Sequence, residues 1–143
     1  MNHNYEWSED LPESCPPEEA YQCNGESFYR LVAGDPACES DFFSHRKRYP
    51  TRIFKVDECQ ARAVSIFSTK KEAEEFRKKP PCKNKNTVIA RVTIRPKDGV
   101  VAQTGHNKKH YSWWRTTAYD ISEATILYDN ENNQSKTGTR LLR

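Results

Sequence analysis

The stretch "SIFSTKKEAEEF", residues 65–76, decides how the rest of the chain is read. Ser65 to Phe67 close the run "ARAVSIF" (61–67), whose β-branched, half-apolar character is that of a strand. Thr69 and Glu72 then match the S/T-x-x-E capping box that opens a helix. Ala73 and Phe76, three residues apart, give that helix a buried stripe, Lys78 and Lys79 suit its C-terminus, and Pro80-Pro81 stops it. A strand therefore feeds straight into a capped helix, with the hydroxyls of Ser65, Ser68 and Thr69 at the junction. One hydroxyl caps the helix. The free N–H groups of the same helix start also suit an anion, so a second hydroxyl can face a ligand.

Upstream, "SFYRLVA" (27–33) alternates aromatic and aliphatic residues up to Gly34 and reads as a strand. "GDPACESDFFSHRKR" (34–48) offers Asp35 as N-cap, Pro36 at the first helical position and a basic end, which predicts a helix closed by Pro50. Downstream, "TVIARVTI" (87–94), "VVAQT" (100–104) and "ISEATILY" (121–128) read as strands, and "GHNKKHYSWWRTTAYD" (105–120) as a long irregular segment. Trp113 and Trp114 are adjacent, so on a strand they point to opposite faces and are not expected to be buried together. The order strand, helix, strand, helix, three strands predicts an α+β domain: a small mixed, largely antiparallel sheet with two helices.

Charge divides the chain. Residues 1–26 carry seven acids and no Lys or Arg, and the remainder carries 23 Lys and Arg against 13 acids, a net +10. The expected organisation is an acidic, partly disordered arm (1–26), a single domain (27–128) and a polar tail (129–143). A basic body attracts nucleic acid or a phosphate-bearing ligand. No apolar run approaches the ~18 residues that span a bilayer, and the acidic N-terminus has no apolar signal core, so a soluble, cytoplasmic protein is expected. The five cysteines form no C-x-x-C pair. They are read as buried or incidental reduced thiols rather than metal ligands.

Signatures for P-loop nucleotide hydrolysis, Rossmann dinucleotide binding, zincin proteolysis and α/β-hydrolase chemistry are missing. Arg30, within "FYRLV", requires a solvated face or a charged partner, and a fixed guanidinium on a strand also suits phosphate capture. "GHNKKHYSWWR" (105–115) packs His110, Tyr111 and Trp113 among cations. Its rings can stack on a base, and His110 can exchange a proton near neutral pH. Glu123, in "ISEATIL", is either a strand-edge carboxylate or a catalytic one.

An Arg in the first strand, a strand ending in Ser/Thr followed at once by a helix, and an acid in a late strand resemble the ADP-ribosyltransferase fold. That resemblance implies NAD as cofactor, with Arg30 contacting it and Ser65, Ser68 or Thr69 shaping the nicotinamide pocket. It also implies a ring of Tyr111 or Trp113 stacked on the ligand. Glu123 would orient the ribose and support an oxocarbenium-like transition state, and His110 is the alternative. The E-x-E or Q-x-E pair of arginine-modifying members is missing, and Ser-Thr stands where a full Ser-Thr-Ser is usual. The chain also resembles small, uncharacterised bacterial proteins with YRLV, VSIF and HYSWW-type segments, over roughly residues 28–127. The reading is an NAD-binding ADP-ribosyltransferase-like domain, a toxin or effector enzyme. The alternatives are a nucleic-acid-binding module or metal-independent ribonuclease, and a non-catalytic protein-interaction module.

Overall fold

The structure is a computed structural model that describes residues 5–80, 82–83 and 85–128. The tail at 129–143 lies outside the described residues. The strands are β1 (Tyr21–Gln22), β2 (Glu26–Val32), β3 (Val64–Phe67), β4 (Val88–Ile94), β5 (Gly99–Gln103), β6 (His110–Arg115) and β7 (Thr125–Leu127). They form one sheet in the order β1-β5-β6-β3-β2-β4-β7, and every pairing among them is antiparallel. Three α-helices accompany it: α1 (His45–Arg48), α2 (Glu58–Ala61) and α3 (Lys70–Arg77). The chain is thus α+β, with three α-helices rather than two and no parallel strand pair among the described residues. Among the described residues no helix is long and apolar enough to cross a membrane.

The junction at 65–76 forms as its sequence dictates. β3 runs to Phe67, and the Thr69 hydroxyl accepts from the Glu72 N–H at 3.1 Å to cap α3. Ala73 is fully buried beneath the helix. Phe76 is exposed instead, with its ring 5.2 Å from that of Phe67.

Residues 34–48 do not make one helix. The Asp41 carboxylate accepts backbone N–H bonds from Ala33 (2.8 Å), Gly34 (3.3 Å) and Cys38 (2.9 Å), which folds the segment back on the end of β2. What remains is a 3-10 turn at Glu39–Phe42 and the short α1, capped by Ser44. Likewise "ISEATILY" divides into a 3-10 turn, Ile121–Glu123, capped by the Asp120 side chain, and the short β7.

The segment expected to be irregular contains β6, the bridge between β5 and β3. Both tryptophans on it are buried, at 0% and 2% exposure, because the sheet is covered on both faces. Trp113 lies on one face, edge-on to Tyr119 at 5.0 Å and Phe42 at 6.2 Å, and donates from Nε1 to the Asp98 carbonyl. Trp114 lies on the other, against Ala63 and Ala102 and beneath Trp7, Leu11 and Cys15, and donates to the Cys59 carbonyl. Gly99 has to be glycine: its φ is +119°, and a Cβ there would collide with the Trp114 carbonyl.

The acidic segment supplies that second cover. Trp7 bridges to Thr116, the Glu9 carboxylate accepts from the Ser44 N–H and hydroxyl, and β1 extends the sheet beyond β5. Cys15 is disulfide-bonded to Cys59, a correction to the reading of all five cysteines as reduced. Cys23, Cys38 and Cys82 are free.

Two outcomes follow from this packing. Trp113→Ala removes a ring packed on all sides and is expected to cost about 3–5 kcal/mol in denaturant unfolding. Reducing the Cys15–Cys59 bond frees a long loop in the unfolded chain and is expected to lower stability by about 2–4 kcal/mol.

Candidate functional site

β2 and β3 are neighbours that meet at a single residue pair, Tyr29↔Phe67, whereas β2 pairs with β4 along its whole length. Beyond that pair the two strands splay. Arg30, next on β2, fills the gap. Its Nε donates to the Asp41 carbonyl at 2.8 Å, one terminal nitrogen to the Ser65 carbonyl at 2.6 Å, and the other to the Phe43 carbonyl at 3.5 Å. The guanidinium also sits over the Phe42 ring at 6.0 Å. Its side chain therefore replaces the ladder bonds that the splay removes. Burial, and then the charge of nearby Arg48, bring its pKa down to about 10, still well charged at neutral pH.

A cavity of about 450 Å³ opens at the splay. Its floor is Arg30 from β2, Ser65 and Phe67 from β3, and His110 and Ser112 from β6. One wall is Asp41, His45, Arg48 and Tyr49, with Gln60 and Ala61 of α2, and the other is Phe76, Cys82, Lys85 and Thr87. Asp41 is the only carboxylate among the described residues lining it. Burial pushes that carboxyl up, but the N–H bonds from Cys38, Ala33 and Gly34 outweigh it and hold it below the usual range. Its charge is spent on the turn, and the cavity keeps the positive balance of Arg30, Arg48 and Lys85. The Thr87 hydroxyl is buried here without a hydrogen-bond partner, a state that costs about 1–3 kcal/mol unless a ligand relieves it.

Alternation along β6 decides which of its residues reach the cavity. His110 and Ser112 face it, hydrogen-bonded through Thr104, whose hydroxyl lies 3.1 Å from His110 Nδ1 and 2.9 Å from Ser112 Oγ. Nδ1 also lies 3.2 Å from the Thr104 carbonyl, which only accepts. The ring proton is thus on Nδ1, and Nε2 carries the lone pair. Burial lowers the His110 pKa, and burial together with Arg30 and Arg48 lowers that of His45.

Of the residues singled out in the sequence, Arg30, Ser65 and His110 come together in this cavity, and the others do not line it. The Ser68 N–H bonds the Lys109 carbonyl, and Thr69 is spent on the α3 cap. Tyr111 packs on Phe28 at 5.3 Å and Trp113 lies in the core, both on the opposite face of β6. Glu123 is exposed in its 3-10 turn and paired with Arg95 at 3.0 Å. His45, Arg48, Tyr49, Lys85 and Thr87 went unread. The first three lie in "SHRKRYP", a string of cations with a ring and a histidine whose sequence reads as the basic end of a helix. Thr87 carried no sequence signal. No family model, curated protein or solved structure matches the chain.

Two outcomes test this geometry. Arg30→Lys supplies charge without the fork, and one ammonium cannot reach the Asp41, Ser65 and Phe43 carbonyls together, so unfolding should become easier by at least about 2 kcal/mol. The histidines bind protons more readily in the unfolded chain than in the fold. Their contribution to stability is therefore complete above pH 6.5 and is lost as pH falls through their lower folded values. A His45→Gln/His110→Gln protein should show a shallower fall in unfolding midpoint over that window.

Proposed function

We propose that the cavity at the splay binds a phosphate-bearing nucleotide, NAD, and that the chain is an ADP-ribosyltransferase-like domain. The observation that carries this reading is the convergence of Arg30, Ser65 and His110 on one positively balanced cavity, beside the unpartnered Thr87 hydroxyl. These three belong to separate segments of the chain, and the resemblance to the ADP-ribosyltransferase fold implies a ligand-side role for each. A volume of about 450 Å³ lies within the range of small-molecule sites, roughly 300–1,000 Å³.

Bound NAD supplies a ribose carbon already carrying a good leaving group, nicotinamide. The protein's own work is then positioning and proton transfer. Arg48 and Lys85 meet phosphate, while Arg30 fixes the two strands that shape the floor and adds its charge from behind. The hydroxyls of Ser65, Ser112 and Thr87 offer hydrogen bonds to amide or sugar. With Glu123 outside the cavity, the proton acceptor is His110, at Nε2.

One observation favours a second reading. His45 and His110 line the same cavity with Arg48, and both have lowered pKa values. Two histidines that line one cavity also suit metal-independent cleavage of RNA, one as base and one as acid.

The test is calorimetric titration with NAD. Arg30 is unsuitable as the probe because it holds the fold, so the variants are Thr87→Val and Arg48→Ala. Saturable binding, weakened about tenfold by either change, is expected, since each removes one hydrogen bond or ion contact worth about 1–1.5 kcal/mol. No saturable binding, or binding indifferent to both changes, overturns the NAD reading. RNA cleavage lost in His45→Gln and His110→Gln proteins would then select the second.

A further inference from the structure

Two strings of cations border the cavity, one on each wall. The first lies around α1, where no acid interrupts the chain from Phe42 to Val56. Lys47, Arg48, Arg52 and Lys55 are all exposed there. They alternate with rings: Lys47 lies 4.5 Å from the Phe43 centroid, and Arg52 lies 3.9 Å from that of Tyr49, itself a cavity residue. The second follows α3, where no acid occurs from Phe76 to Lys97. Lys78, Lys79, Lys83 and Lys85 are exposed and form no ion pair among the described residues. A shallow groove lined by Lys78, Lys83 and Lys85 joins the cavity through Lys85 and Thr87.

The two strings repel each other across the opening, and among the described residues none of these eight cations forms an ion pair. An extended polyanion laid across both would relieve that repulsion. A single strand of nucleic acid suits the arrangement best: it carries a phosphate per nucleotide for the lysines and bases that stack on rings such as Tyr49. An acidic peptide matches the charge but has no use for the interleaved rings. A duplex, with its bases paired inside, presents none to an opening of this size.

We propose that the two cationic borders form a binding track for single-stranded nucleic acid, which lies across the mouth of the cavity as the macromolecular substrate of this site. Its role as acceptor rests on the nucleotide-site reading given above, but the binding itself is measured without NAD. Failure of the one is therefore distinguishable from failure of the other.

The experiment is fluorescence anisotropy of a labelled, mixed-sequence single strand with the full chain over a series of salt concentrations. Lys78→Glu/Lys79→Glu/Lys83→Glu changes exposed side chains only, so the fold persists, as thermal unfolding will verify. Affinity is expected to fall at least about tenfold, and the slope of log affinity against log salt to shrink by about 2, the share of three phosphate contacts on a single strand. Arg91→Glu, on β4 and lining neither border nor cavity, is expected to leave binding nearly unchanged. The proposal is overturned by no saturable binding at low salt. It is equally overturned by an Arg91→Glu loss as large as that of the triple variant, or by poly-glutamate competing as well as the unlabelled strand.

Discussion

The guanidinium of Arg30 holds apart two strands that would otherwise close on each other. A backbone ladder between β2 and β3 would satisfy the Ser65 carbonyl and leave no room for a cavity. Instead the strands part after Tyr29↔Phe67, and one side chain binds the Ser65, Asp41 and Phe43 carbonyls. Each buried carbonyl left unpaired would cost about 1–3 kcal/mol, so the opening persists only while that fork is in place. The Asp41 turn works with it. The carboxylate gathers three N–H groups at the end of β2, and the carbonyl of the same residue receives Arg30 Nε. The floor and the α1 wall are thus built from the same few polar contacts.

The acidic segment and the disulfide complete this frame from behind. Trp114 anchors them, since its face of the sheet is covered by Trp7, Leu11 and Cys15. Cys59 lies in α2, so the bond from Cys15 fixes the helix that contributes Gln60 and Ala61 to the cavity. Glu9 likewise grips Ser44, the cap of α1. The negative charge of residues 5–26 is therefore spent partly on holding the wall rather than on screening the cationic borders. A disulfide of this kind persists in oxidising surroundings and is reduced in a cytosol. The expectation of reduced thiols rested on odd number and spacing, which carry no information about which two residues meet.

Much of the fold was legible where local signals agreed. β3, the Thr69 cap and α3 follow from residues 65–76 alone, and β2, β4 and β5 from β-branched and aromatic runs bounded by turns. β6 was hidden because the short alternation of "HYSW" breaks at Trp114 and follows the polar run "GHNKK". A strand buried on both faces need not alternate, and only the cover from residues 5–26 reveals that both faces are buried. The 34–48 segment was misread because a tertiary contact, Asp41 to the end of β2, overrode a sound local cap signal. Of the candidate site, Arg30 was legible as an arginine too apolar in its neighbours to be idle, although its partners are carbonyls rather than a carboxylate. His110 was legible by composition. Tyr111 and Trp113 were assigned to the ligand without a strand to fix their side, and the period of two then turned both toward the core. Glu123 was placed on a strand that is really a capped turn.

The central claim is that the splay between β2 and β3 is a nucleotide site. The most direct measurement is mapping of amide chemical shifts by nuclear magnetic resonance as NAD is added to the uniformly labelled protein. Saturable shifts are expected at Arg30–Ala33, Ser65–Phe67, Thr87 and His110–Ser112, with the residues around Trp114 and β1 unmoved. Absence of shifts, or shifts gathered away from the splay, would contradict it.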